Sequence, residues 1–162
     1  MNKLILFYIL ISSLIFGGNK EVFFKAVESK DYKSVESFIN KGFDLELKND
    51  NNKTALSIAV NENDIKLAKL LIENGVSVNK EKEDEWSYSY LAEAFINEFK
   101  DMAKLLIEYG ADVNEEFEVQ RSGYQDQYTP LIWACDMDDL ELCKILVEAG
   151  AIINKEYGGY TA

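Results

Sequence analysis

The sequence predicts an all-α solenoid of four stacked helix-turn-helix units with finger loops, preceded by a signal peptide. Three observations carry that prediction. A basic residue and a short apolar run open the chain, four later stretches align with one another without gaps, and each stretch reads as two short helices closed by a glycine.

Composition narrows the chemistry first. The chain has 162 residues, 17 Lys+Arg against 29 Asp+Glu, a net charge of −12 and no histidine. A Ser-His-Asp or Cys-His constellation, a His-ligated zinc and a His general base are therefore excluded within the chain. An acidic chain is also a poor reader of phosphate backbones, so nucleic acid is not an expected partner. With 48% hydrophobic residues and one proline, the chain forms a core.

Lys3 precedes Leu4 to Phe16, apolar at 11 of 13 positions. That run is short of the roughly 20 residues a membrane-spanning helix needs. Residues 1–18 are expected to be an export signal cut near Gly17, Gly18 and Asn19, although Ile15 or Phe16 is bulky for a position just before the cut. The product would be periplasmic or extracellular and not held in the membrane. An uncleaved signal-anchor or a buried first helix is the alternative.

The remaining domain, 19–162, divides into repeats of about 20–50, 51–83, 84–118 and 124–157. Each pairs an apolar residue with an alanine three positions on (Phe23/Ala26, Leu56/Ala59, Leu91/Ala94, Leu131/Ala134), and each alanine precedes a glycine by 16 residues (Gly42, Gly75, Gly110, Gly150). The glycines recur after 33, 35 and 40 residues, so the extra residues fall between repeats, near 80–88 and 115–128. Thr54, Ser89 and Thr129 stand where a hydroxyl caps a first helix, and Pro130 takes the favoured first helical position. Small alanines let a second helix pack closely. Asp31, Asp64 and Asp139 suit the start of that helix, with Asp101 doing similar work two positions later in the third repeat. Leu67, Leu70 and Leu71, and Met102, Leu105 and Leu106, supply its apolar face. The glycine ends it in a left-handed cap. A helix pair with one sticky side buries its core by stacking on neighbours.

Thr129-Pro130-Leu131-Ile132-Trp133-Ala134, Thr54-Ala55-Leu56-Ser57-Ile58-Ala59 and Gly110-Ala111-Asp112-Val113-Asn114 resemble the signature of the ankyrin repeat, whose period is 33 residues. The resemblance covers residues about 20–157. Ser57, Ala92 and Ile132 replace the signature histidine, the first unit lacks Thr-Pro-Leu, and Lys100 stands where the second helix usually has leucine. The chain's last residues, Asn154 to Ala162, read as an inter-repeat loop and the opening of a fifth repeat at 158–162. The expectation is a fragment of a longer array or, if the chain stops there, an apolar side of the fourth repeat open to self-association.

The resemblance implies a non-catalytic module that binds a protein through its finger loops and the concave side made by the first helices. Carried over, the helix positions are Glu28/Ser29, Asn61/Glu62, Ile96/Asn97 and Asp136/Met137. The finger positions are Asp50, Asn51 and Lys53; Glu85, Trp86 and Tyr88; and Gln125, Asp126 and Tyr128, with Tyr124 nearby. Exposed Trp and Tyr serve often as interface anchors, or these rings pack loop on loop and stiffen the fingers. The insert Glu115 to Tyr128 alternates apolar and polar residues around Ser122-Gly123, as an extended hairpin does, or is an acidic disordered loop. The mixed run Lys80 to Glu85 is a solvated surface.

The acidic surface favours a basic partner, such as a cationic enzyme held in check outside the cytoplasm. A carboxylate-based hydrolase and a structural spacer in a longer array are the competing functions. Asp136-Met137-Asp138-Asp139 lacks the glycine of a calcium loop and reads as helix capping. Cys135 and Cys143 are buried thiols, or a disulfide if their Cα atoms lie within about 7 Å. Trp133 reads as core packing. No cofactor or metal is expected.

Overall fold

The computed structural model describes residues 18–79, 88–121, 124–154, 156–157 and 160–161, with only the backbone described for Gln120, Arg121, residues 124–126 and the last two short strands. The expected signal (1–18) lies almost wholly outside the described residues, as does Trp86.

Eight helices occur among the described residues: α1 (18–28), α2 (Tyr32–Asn40), α3 (Ala55–Asn61), α4 (Ile65–Glu73), α5 (Tyr90–Ile96), α6 (Lys100–Glu108), α7 (Pro130–Asp136) and α8 (Leu140–Glu148). Two antiparallel hairpins accompany them, β1 (Phe117–Arg121) with β2 (Tyr124–Tyr128), and β3 (Glu156–Tyr157) with β4 (Tyr160–Thr161). The expected all-α character is thus supplemented by β-structure in the loops. Within helix pairs the first member has seven residues from the second repeat on, and the second has nine throughout. No described helix is long and apolar enough to cross a membrane.

The caps follow the local residue types. Thr54, Ser89 and Thr129 accept through their hydroxyls from the backbone N–H three residues on, at 3.1, 3.1 and 3.3 Å. Asp31, Asp64 and Asp139 do the same for α2, α4 and α8 at 3.2, 3.0 and 3.1 Å. In the third repeat the cap position holds Phe99, which makes no side-chain cap; Asp101 sits in the first turn of α6, where it faces the helix dipole without capping. Gly42, Gly75, Gly110 and Gly150 all have φ between +70° and +95°. Each donates its N–H to the carbonyl three residues back while the following residue donates to the carbonyl five back, for example Gly110 to Ile107 and Ala111 to Leu106. This is the Schellman arrangement, in which a glycine avoids the steric cost of a left-handed residue.

The described residues form two compact units that divide between Ala59 and Val60, inside α3. The first is built around Phe23 of α1, whose ring meets Phe38 at 5.5 Å and Phe43 at 4.8 Å, with Val27 and Val35 fully buried beside them in the sequence of α1 and α2. Its loop is a tight finger. Asn49 Oδ1 accepts from the N–H groups of Asn51 and Lys53, both at 3.0 Å, and Lys48 bridges Thr54.

The second unit stacks α4, the α5–α6 pair and the α7–α8 pair, with Leu67, Leu71, Met102, Leu106 and Leu146 buried to 1% exposure or less. Leu70 belongs to the edge of this face: it is half-buried, whereas its neighbour Leu71 is fully enclosed. Two asparagines join successive repeats. Asn79 donates to the Gly110 carbonyl at 3.1 Å and accepts from Asp112 N–H at 2.9 Å; Asn114 donates to Gly150 at 3.2 Å and accepts from Ile152 at 2.8 Å. Side chains add to this, with Lys100 on Asp139 at 2.7 Å, Lys104 on Glu141 at 2.8 Å and the Tyr109 hydroxyl donating to Glu73 at 2.9 Å.

Candidate functional site

The candidate surface lies in the second unit, where three first helices end. The chain leaves each of them through a residue in the left-handed region: Asn63 (φ 51°), Glu98 (φ 59°) and Asp138 (φ 55°). This sharp reversal leads directly into the next helix. It also leaves exposed the residues around it, namely Asn61 and Glu62, Asn97 and Glu98, and Asp136 and Asp138. Asn97 additionally donates to the Glu93 carbonyl at 2.8 Å, holding the end of α5. Ile96 and Met137, interspersed among these polar groups, are half-buried.

Charge is unevenly distributed there. Glu62, Glu98, Asp136 and Asp138 occupy these turns without a lysine or arginine among residues 61–63, 96–98 or 136–138. Asp139, the last acid of the run, caps α8 and takes the Lys100 ammonium. Lys100 and then the Leu142 N–H hold its carboxyl below the usual carboxylate range. Lys100, which replaces an apolar residue expected at the start of the second helix, thereby links α6 to the cap of α8. The Asp-rich run 136–139 consequently acts in helix termination and capping.

Met137 also lines an open cleft between the third and fourth repeats, together with Phe95, Phe99, Trp133 and Leu142. Met is unbranched and polarizable, which suits it to irregular contacts.

The finger side differs from the expectation at one aromatic. Tyr128 is a correction: its ring is 9% exposed, set edge-on to Trp133 at 5.0 Å and stacked on Phe117 at 6.2 Å. Phe117 and Tyr128 are the paired ends of β1 and β2, and Phe117 continues the stack to Phe95 at 6.4 Å. Tyr128 thus anchors the hairpin to α7 and, through Phe117, to α5, the packing role weighed for these rings as the alternative to exposure. Trp133 packs in the interior, as expected. Tyr88 is 38% exposed, and its hydroxyl donates to the Glu118 carbonyl at 2.7 Å, tying one finger to the next. Tyr124 and Asp126 lie in β2, with their side chains outside the described residues. The insert forms a hairpin, with Gln127 also donating to Glu118 across it at 3.2 Å.

A family model described as three copies of the ankyrin repeat matches residues 23–117, more than half the chain. The chain belongs to the ankyrin-repeat family. A second model, for a single ankyrin repeat, matches residues 126–156. The crystal structure of an ankyrin repeat domain from Acinetobacter baumannii AYE is similar in fold, with a TM-score of 0.66 at 24% identity, over 88% of this chain and 68% of that one. No curated protein matches the sequence. Ankyrin repeats generally mediate protein–protein interaction, and the family is typically non-enzymatic. Among the described residues, no group of three or more Cys, Asp or Glu side chains is placed to hold a metal ion.

The repeat-linking role of the asparagines is not among the sequence-based expectations. Their signal was present: Asn79 and Asn114 hold the same position, four residues after Gly75 and Gly110.

Proposed function

We propose that this ankyrin-repeat protein is an exported, non-catalytic binding module that captures a basic protein through the turns at the ends of α3, α5 and α7. The observation that carries the reading is the row of exposed acids Glu62, Glu98, Asp136 and Asp138, with Ile96 and Met137 available for apolar contact. Acidic side chains in such a row raise the encounter rate with a cationic partner, and half-buried apolar groups provide area that slows its release. Tyr88, exposed just before the start of α5, is a separate contact on the finger side. Capture from the native extracellular or periplasmic fraction tests the reading. The intact chain should retain a basic protein that elutes with salt, and a folded Glu62→Lys/Asp136→Lys variant should lose it. Equal retention by both would count against the acidic row. The export component predicts a mature chain beginning near Asn19; an intact Met1 in the membrane fraction contradicts it.

A second partner, another copy of the chain, is favoured by the outer side of α8. Val147 and Ile153 are 43% and 50% exposed, whereas Ile107 and Val113, at the same positions of the third repeat, are 7% and 5% exposed. Sedimentation should reveal self-association that Val147→Glu abolishes; a monomer at all concentrations refutes it.

A further inference from the structure

Cys135, the penultimate residue of α7, and Cys143, within α8, place their Sγ atoms 3.4 Å apart as free thiols. The expectation of two buried thiols fails for Cys135, which is exposed, while Cys143 is half-buried. At the place of Cys135 the earlier repeats carry Val27, Val60 and Phe95, all buried, and at the place of Cys143 they carry Val35, Ala68 and Ala103, also buried. Only the fourth repeat puts sulfur at both places, on two helices packed against each other.

We propose that Cys135 and Cys143 are an oxidisable dithiol that closes to a disulfide, stapling α7 to α8 in the fourth repeat. The sulfurs must approach from 3.4 Å to about 2.05 Å, a change within reach of small side-chain rotations. The oxidant is a small-molecule disulfide such as oxidised glutathione. The Cys135 thiolate, formed by loss of its proton to solvent, attacks one sulfur of that disulfide; the S–S bond breaks and one glutathione thiolate leaves. Cys143 then gives up its proton to solvent and attacks Cys135 Sγ, expelling the second glutathione thiolate. Two protein thiols are oxidised, one disulfide is reduced to two thiols, and atoms and electrons balance.

Exposure decides the order of attack, because Cys135 is the sulfur an oxidant reaches. Burial, then contact with Cys135 and the charge of Asp139, push the Cys143 thiol up to about 11, so Cys143 stays protonated while Cys135 reacts and its own attack, made from 3.4 Å, is the slower step.

The test uses the full chain, at a concentration where it is monomeric, equilibrated in glutathione buffers of increasing oxidation and quenched by alkylation. Mass spectrometry should show loss of two hydrogens, no alkylated thiol and a crosslinked peptide pair joining Cys135 to Cys143. Thermal unfolding of that species should shift upward by about 5 to 10 °C, reversed by a reductant. Cys143→Ala and Cys135→Val restore residues found at the same positions in other repeats, so both variants should fold. Cys143→Ala should stop as a single glutathione adduct on Cys135, and Cys135→Val should remain largely unmodified. Two alkylatable thiols in the oxidised buffer, persistent glutathione adducts on the unaltered chain, or a dimer crosslinked through Cys135 would each overturn the proposal.

Discussion

Replacing Asn114 with alanine removes two hydrogen bonds that cross from the third repeat to the fourth, the donation to Gly150 at 3.2 Å and the acceptance from Ile152 at 2.8 Å. A hydrogen bond contributes about 1 kcal/mol net, and these two lie where water can replace part of what is lost. The expected cost is about 1 to 2 kcal/mol. In a repeat array, where stability is a sum of repeat and nearest-neighbour terms, that cost should be local. Urea unfolding should therefore show a lower midpoint, while hydrogen exchange should accelerate in residues 130–151 and stay unchanged in α4. Asn79→Ala should have a similar cost through Gly110 and Asp112, but spread to a different repeat boundary. A midpoint unchanged by Asn114→Ala, or exchange accelerated uniformly through the second unit, would show that the asparagines do not couple neighbours.

Four further predictions concern the same scaffold. Glu98 holds a left-handed conformation, φ 59°, that costs a non-glycine residue about 1 to 2 kcal/mol; glycine there returns some of this as unfolded-chain entropy, so Glu98→Gly should stabilise by about 0.5 to 1 kcal/mol in chemical denaturation. The Asp139 carboxyl is held below its ordinary range by Lys100, so its contribution is present above the unfolded-state value and is lost as pH falls through the lower folded-state value; Lys100→Met should flatten that acid limb of the stability–pH curve. Lys104 is shifted the other way by Glu141, so its contribution is complete below the unfolded-state value and disappears as pH rises through the higher folded-state one. Finally, Leu106→Ala should cost about 2 to 5 kcal/mol because the side chain is fully enclosed, whereas the same change at half-buried Leu70 should cost clearly less in parallel urea titrations.

What was readable from the residues is what depends on near neighbours in the chain. A hydroxyl or carboxylate three positions before the N–H it caps, and a glycine after a nine-residue helix, carry their signals locally, and Thr54, Asp64 and Gly75 behave as their types dictate. The exceptions have equally local causes. Phe99 cannot cap, and Asp101 does not substitute for one, because its place in the first turn gives it the dipole and not the free N–H groups. The exposure of Glu62, Asn97 and Asp136 is legible in the sequence, because exposure at a helix end follows from the periodicity of the buried face. The burial of Tyr128 is not. An aromatic beside a turn looks the same whether it meets solvent or a core, and here its burial is decided by Trp133, five residues on, and Phe117, across the hairpin. The pairing of Cys135 with Cys143 and the reach of Asn114 to Gly150 likewise depend on how helices and repeats pack.

The association rate with the captured partner, measured against ionic strength for the intact chain and the Glu62→Lys/Asp136→Lys variant, bears most directly on the proposed role of the acidic turns. Steering by those carboxylates predicts a rate that falls steeply with added salt and a variant that is slower at low salt, the two converging as screening grows. Rates that are independent of salt, and equal in the two proteins, would contradict it.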